Sequence, residues 1–293
     1  MISFSTLGTR SKLGNHLFQY AFLRSTALRL GVRFYCPRWI GDSAFHLDDS
    51  KERSEAPEGI ESRYREPRNY TGLNASALGI RDGTEIEGYF QTEKYLDRKC
   101  VLSWYRLRED LLADVRRRYG HVDFENCVGL SVRLGDFATT YGDVFFVPRR
   151  DYYKRALEMI SRNSTIVVFS DDVPRAKTLL GDLGAPTVFM EGYEPYEGIY
   201  LQSQCHHFIC SPSTYSWWGA WLNTYPDKRI IVPQEGAFRP GAPVRNDEYW
   251  PESWVKIRAL RSVLDHFALV SRMRLIQRGV RKVVQVGTKA LHR

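Results

Sequence analysis

No run of eighteen apolar residues occurs anywhere in this chain, so the sequence offers no segment of the length that crosses a bilayer as a helix. Its first ten residues lack the cationic start and apolar stretch of a secretion signal. The five cysteines, Cys36, Cys100, Cys127, Cys205 and Cys210, are odd in number, scattered, and include no C-x-x-C pair. That pattern argues against a zinc site, a disulfide scaffold and dithiol redox chemistry. Reduced thiols and a cytosolic location are the expectation. Phosphate-loop signatures are missing as well. The loop from Gly8 to Asn15 has no glycine followed by Lys-Ser or Lys-Thr, and no G-x-G-x-x-G.

A charge surplus is also absent from most of the chain. The formal charge of +8 is carried by residues 258–293, where nine arginines and lysines face Asp265 alone, and residues 1–257 are neutral overall. A neutral body does not present a nucleic-acid surface, so no nucleic-acid partner is expected. What is present is ordinary for a globular protein: 293 residues, 43% hydrophobic and 26% charged. That length suits two domains or one large α/β unit.

Residues 2–7 alternate like a strand, Leu17 to Leu30 has helical spacing, and Val32 to Cys36 reads as a second strand. Asp42 to Ser76 is polar and reads as irregular surface. Glu85 to Phe90 reads as a strand and Tyr95 to Tyr119 as one helix. Beyond it the spacing predicts strands at 127–132, 165–169, 187–190, 208–210 and 229–232. Helices are predicted between them at 150–160, 173–180, 198–206 and 217–222. Such alternation implies a parallel sheet with right-handed crossovers, and ligands bind such sheets at the carboxyl ends of the strands.

Three polar clusters fall at strand ends: Arg133 to Asp136, Ser170 to Asp172, and Ser211 to Ser216. A positioned guanidinium suits a developing phosphate charge, although Arg133 fits a closed pair with Asp136 equally well. Ser213, Thr214 and Ser216 precede a helix, where hydroxyls and free N–H groups hold phosphate or simply cap the helix. Asp171 and Asp172 suit a base edge, a ribose hydroxyl or a metal, or else a turn before Pro174. Gly14 permits close backbone approach, and Asn15 either donates to a ligand or caps the next helix. For Trp217, Trp218 and Trp221, core packing is preferred over sugar stacking.

Five segments resemble the motifs of the α-1,2-fucosyltransferase family. Residues 13–22 are similar to G-N-Q-L-F-Q-Y-A, 87–95 to G-Y-F-Q-S-E-K-Y, 128–137 to H-V-R-R-G-D-Y, and 169–172 to F-S-D-D. Residues 205–222 resemble C-x-H-x-I-x-S-N-S-T-F-S-W-W-G-A-W-L. The resemblance implies a GT-B-like α/β fold of two Rossmann-like parallel-sheet domains. The first, 1–125, would face the acceptor, the second, 126–257, would bind the donor nucleotide, and 258–293 would form a basic helical tail. It implies an inverting transfer of L-fucose from GDP-fucose, with no metal or other cofactor, to a sugar hydroxyl such as the 2-OH of galactose.

By the same resemblance, Arg133 grips the β-phosphate and Asn15 faces the reaction centre. Gly14, Ser170, Asp171, Asp172, Ser213, Thr214 and Ser216 would complete the donor site, while Asp136 and Glu87 are the candidates for a general base. The sequence departs from the motifs at Ser131, for histidine, Leu134, for arginine, His16, for glutamine, and Pro212, for asparagine. Gly198 stands where aspartate is common. Another deoxysugar donor, or an inert binding homologue, is compatible with those departures. Apolar residues and arginines interleave at helical spacing over 262–293, as in a helix on an anionic membrane or one packed on the body. The expected partners are therefore GDP-fucose, an oligosaccharide or lipid-linked glycan acceptor, and, through 262–293, a membrane surface.

Overall fold

The computed structural model describes residues 1–67, 69–70, 78–138, 144–160, 164–238 and 245–259. The first half of the chain supplies strands β1 (Ile2–Ser3), β2 (Phe34–Tyr35), β3 (Ser62–Arg65), β4 (Asn69–Tyr70) and β5 (Thr84–Glu87). The second half supplies β6 (Cys127–Val132), β7 (Thr165–Ser170), β8 (Thr187–Met190), β9 (His207–Ile209), β10 (Ile230–Pro233), β11 (Arg245–Asn246) and β12 (Val255–Ile257). They form a four-stranded sheet of order β2-β1-β5-β3 and a six-stranded sheet of order β12-β10-β9-β6-β7-β8. Every strand pairing in both is parallel. The short pair β4–β11 joins the two halves. This is the two-sheet, GT-B-like arrangement that the strand–helix alternation and the resemblance led us to expect.

Strand order decides where a ligand can sit. From β6 the chain steps outward through β7 to β8, then returns to β9 on the other flank of β6 and steps outward again. The direction reverses between β6 and β9, which opens a crevice at their carboxyl ends. In the first sheet β1 lies between β2 and β5, so the corresponding reversal falls at the ends of β1 and β5.

Helix α1 (Leu13–Leu30) leaves the β1 loop and stops at Gly31, whose φ of +67° suits glycine and closes the helix C-terminus. Of the helices α2 (Gly41–Ala44), α3 (Arg98–Trp104), α4 (Glu109–Tyr119), α5 (Gly135–Ala138), α6 (Arg150–Glu158), α7 (Val173–Leu180), α8 (Pro195–Gln204) and α9 (Thr214–Leu222), the last two cover the second sheet on the side that meets α1. Phe18 of α1 packs against Trp217 and Trp218 of α9, with ring centroids 4.5 and 4.7 Å apart. Both tryptophans are fully buried, as core packing requires.

The structure corrects several readings of the sequence. The helix expected over 95–119 is two, α3 and α4. Tyr105, whose hydroxyl donates to the Leu17 carbonyl, and Leu107, which bridges Phe45, turn into the core between them. Part of 42–76 is regular, because β3 adds to the edge of the first sheet beside β5. Helix α8 starts three residues before the expected Gly198, since Glu194 and Glu197 form a capping box around Pro195. All five cysteines are free. Nearly all of the basic tail, 260–293, lies outside the described residues.

Candidate active site

Both chain reversals open onto one cleft of about 1180 Å³. Its walls come from the loop after β1 and the first turn of α1 (Ser11 to His16), from Tyr89 and Gln91 after β5, and from the carboxyl ends of β6, β7, β8, β9 and β10. The N-termini of α1 and α9 meet at its floor. A Cβ on Gly14 would lie 2.6 Å from Thr214 Oγ1 and 2.7 Å from the Tyr215 backbone nitrogen, so only glycine lets the two helices approach this closely. Trp218 Nε1 donates to the Gly14 carbonyl at 2.9 Å and fixes the contact. Two positive helix ends therefore open on the same space.

Arg133 leaves the end of β6 and its side chain is 18% exposed within the cleft wall. Its guanidinium donates to Asp136 Oδ1 at 2.7 Å and pairs with Asp171 Oδ2 at 2.9 Å. Asp171 also accepts from the backbone N–H groups of Leu134 and Gly135, at 2.9 and 3.0 Å, which ties the end of β7 to the β6 loop. Lys12 reaches across from the first half to Asp136 Oδ2 at 2.9 Å. The two alternatives left open by the sequence thus hold together: the guanidinium is paired, and the pairing holds it at the cleft wall. Burial resists ionisation of Asp136, but Lys12 and Arg133 outweigh it and hold the carboxyl below the usual carboxylate range. A carboxylate so stabilised is a weak proton acceptor.

Of the other expected site residues, Gly14, Asn15, Ser170, Ser213 and Thr214 line the cleft. Ser213 also caps α9 by accepting from the Tyr215 N–H at 3.3 Å. Three expected residues are absent from the cleft lining. Asp172 caps α7, accepting from the Arg175 N–H at 3.1 Å, and is absent from the cleft lining. Ser216 is fully buried and its hydroxyl donates to the Ser211 and Ser213 carbonyls. Glu87 sits exposed on β5, paired with Arg65, and is no part of the cleft.

Several cleft residues carried no signal in the sequence, or only that of a motif letter. The buried Glu66 carboxylate accepts from the N–H groups of Tyr89 and Phe90, at 2.6 and 2.8 Å, and Phe90 adopts a left-handed φ of +55°. That loop thrusts Tyr89, 48% exposed, into the cleft and places Gln91, whose amide donates to Asn15 Oδ1 at 2.9 Å. On α8 the fully buried Gln202 lines the cleft with neither amide atom hydrogen-bonded. His16 is buried in the wall with one ring nitrogen unpartnered. Among the described residues, no group of three or more His, Cys, Asp and Glu is placed to hold a metal ion.

With this geometry in place, likeness to known proteins becomes informative. The model of Glycosyl transferase family 11 matches residues 87–258, more than half of the chain. The O-antigen biosynthesis glycosyltransferase WbnK of Escherichia coli is 34% identical over 183 residues, covering 58% of this chain and 61% of WbnK. The match thus spans less than two thirds of that relative's length. The α-1,2-colitosyltransferase of Escherichia coli is 24% identical over 283 residues, covering 84% of this chain and 96% of that protein. Among solved structures, the fucosyltransferase NodZ from Bradyrhizobium superposes with a TM-score of 0.45 at 14% identity, over 74% of this chain and 91% of NodZ. A likeness that distant bears on no individual residue.

Proposed function

We propose, from the premise that this chain belongs to glycosyl transferase family 11, that it transfers L-fucose from GDP-fucose to a hydroxyl of a glycan acceptor, the 2-OH of galactose in the simplest case. The reaction is a single inverting displacement without a metal. The observation that carries this reading is the Arg133 guanidinium, held by Asp136 and Asp171 in the wall of the cleft that the N-terminus of α9 also lines. Departure of the nucleoside diphosphate builds negative charge on the β-phosphate, and a preset guanidinium beside a helix N-terminus receives it with little reorganisation. Gly14, Ser213 and Thr214 supply the close backbone and hydroxyl donors around the diphosphate, and Ser170 and Asp171 flank the nucleoside. Asn15, oriented by Gln91, faces the sugar.

The acceptor approaches the first-sheet wall, residues 1–125 forming the acceptor half and 126–257 the donor half. The product is a precursor of a surface or secreted glycan made on the cytosolic side, in keeping with a relative named for O-antigen biosynthesis. No helix among the described residues is long and apolar enough to cross a membrane. A second donor, another GDP-linked deoxysugar, is favoured by one finding: a relative matched over nearly its whole length is named for colitose transfer. The test is incubation with GDP-fucose and galactose-terminated acceptors in the presence of a chelator, with the product read by mass spectrometry and NMR. A new α-1,2-fucosyl linkage is expected. Transfer from a different GDP-deoxysugar alone would move the assignment to the second donor, and transfer from no GDP-sugar would end it.

A further inference from the structure

Direct displacement at a sugar carbon requires a group that removes the proton of the attacking hydroxyl. On the donor side of the cleft, Asp136 and Asp171 are committed to Arg133, and Glu191 stands exposed after the end of β8. On the first-sheet side, the described lining residues include no carboxylate. They do include His16, on the first turn of α1, where the family motif carries a glutamine that cannot accept a proton.

The imidazole is 8% exposed and packs edge-on against Trp39, with centroids 6.4 Å apart at 87°. Its Nε2 lies 2.9 Å from the Arg10 carbonyl. A carbonyl oxygen only accepts, so Nε2 carries the proton and Nδ1 presents a bare lone pair. That buried Nδ1 has no hydrogen-bond partner in the protein, in a ring that forms part of the cleft wall. A buried polar atom left unsatisfied costs stability, so a cleft side chain that keeps one is a candidate for contact with a ligand.

We infer that His16 is the general base of the transfer and that its Nδ1 removes the proton of the acceptor hydroxyl. This rests on the reading of the cleft as a nucleoside-diphosphate-sugar site. As the proton moves to Nδ1, the hydroxyl oxygen bonds to the anomeric carbon. The bond from that carbon to the β-phosphate oxygen breaks, and its electron pair leaves with the nucleoside diphosphate, whose charge Arg133 receives. The imidazolium then returns its proton to solvent. Burial lowers the basicity of His16, opposed by the Arg10 carbonyl, so the ring is neutral and competent at neutral pH. The charged groups on the elements around it are Arg10 and Lys12 on its own loop and Asp42, paired with Arg53, behind Trp39. Asp136, paired with Lys12, stands across the cleft.

The experiment compares wild type with His16→Gln, which restores the motif residue and keeps a donor for the Arg10 carbonyl. Expected are a fall in kcat of at least about a hundredfold, an unchanged thermal shift with GDP, and loss of the acidic limb of the pH–rate profile. Added imidazole should restore part of the rate of His16→Ala. Turnover of His16→Gln within a few-fold of wild type, with the acidic limb intact, would overturn the proposal. So would a wild-type rate that does not fall as pH drops below the ordinary histidine range, a measurement that needs no variant. Should wild type bind no GDP at all, the reading of the cleft itself fails, an outcome distinct from a wild type that binds GDP and a His16→Gln that still turns over.

Discussion

The two walls of the cleft contrast in how their polar groups are engaged. On the second-sheet wall, Arg133, Asp136 and Asp171, joined by Lys12, form an interlocked set of two positive and two negative charges. Apart from Lys12, the groups on the first-sheet wall are neutral, among them Asn15, His16, Tyr89 and Gln91, and His16 retains an unused acceptor. A charged leaving group needs a rigid, preset electrostatic receiver, because mobile dipoles would have to reorganise during the reaction. A sugar acceptor needs hydrogen-bond complementarity and a proton acceptor, which neutral groups supply without a large desolvation penalty.

The contrast can be broken most severely where the walls meet. Gly14→Ala places a methyl group against Thr214 and the backbone of Tyr215, and forcing the helices apart should cost about 1–3 kcal/mol of stability together with most of the transfer activity. Thermal melts and kinetics check this, and a variant matching wild type in both would show that the junction is not rigid. A smaller effect is expected from Asp171→Asn. It removes the ion pair to Arg133 but keeps one acceptor for the Leu134 and Gly135 N–H groups. Turnover should fall about tenfold, the worth of one charge-assisted hydrogen bond, with the melting temperature little changed.

Smallest is Gln202→Met, which sharpens the contrast from the opposite direction. Replacing a buried, unsatisfied amide with an apolar chain of similar length should leave the unliganded protein as stable as wild type or about 1 kcal/mol more stable. A drop in melting temperature would show that the amide has a partner in the folded protein.

The second-sheet wall was more legible in the sequence than the first-sheet wall, for a physical reason. Strands β6 and β8 and helix α7 have the bounds that periodicity and turn residues gave, and β7 runs one residue longer. Buried parallel strands read as short apolar runs with sharp ends, and their polar termini mark the ligand side. The chain reversal then brings Arg133, Ser170, Asp171, Ser213 and Thr214 to one cleft. In the first half, β1 and β2 fall inside the strands read at 2–7 and 32–36 but are only two residues long, so the period there overstates the length that pairs in the sheet. Helices α3 and α4 merged in the sequence because Tyr105 and Leu107 keep an apolar spacing through a break that only tertiary packing creates. Asp172 and Ser216 have the residue types of ligand contacts but serve as caps and loop braces, a distinction that spacing does not encode. The unsatisfied atoms of His16 and Gln202 are visible only once their neighbours are known.

The central claim is that Arg133 receives the diphosphate charge as the donor bond breaks. Its most direct test is the single-turnover rate of transfer from GDP-fucose by Arg133→Ala, with folding verified by circular dichroism. The account predicts a loss of about a hundredfold or more, corresponding to about 3 kcal/mol of lost transition-state stabilisation. A rate within a few-fold of wild type would contradict it.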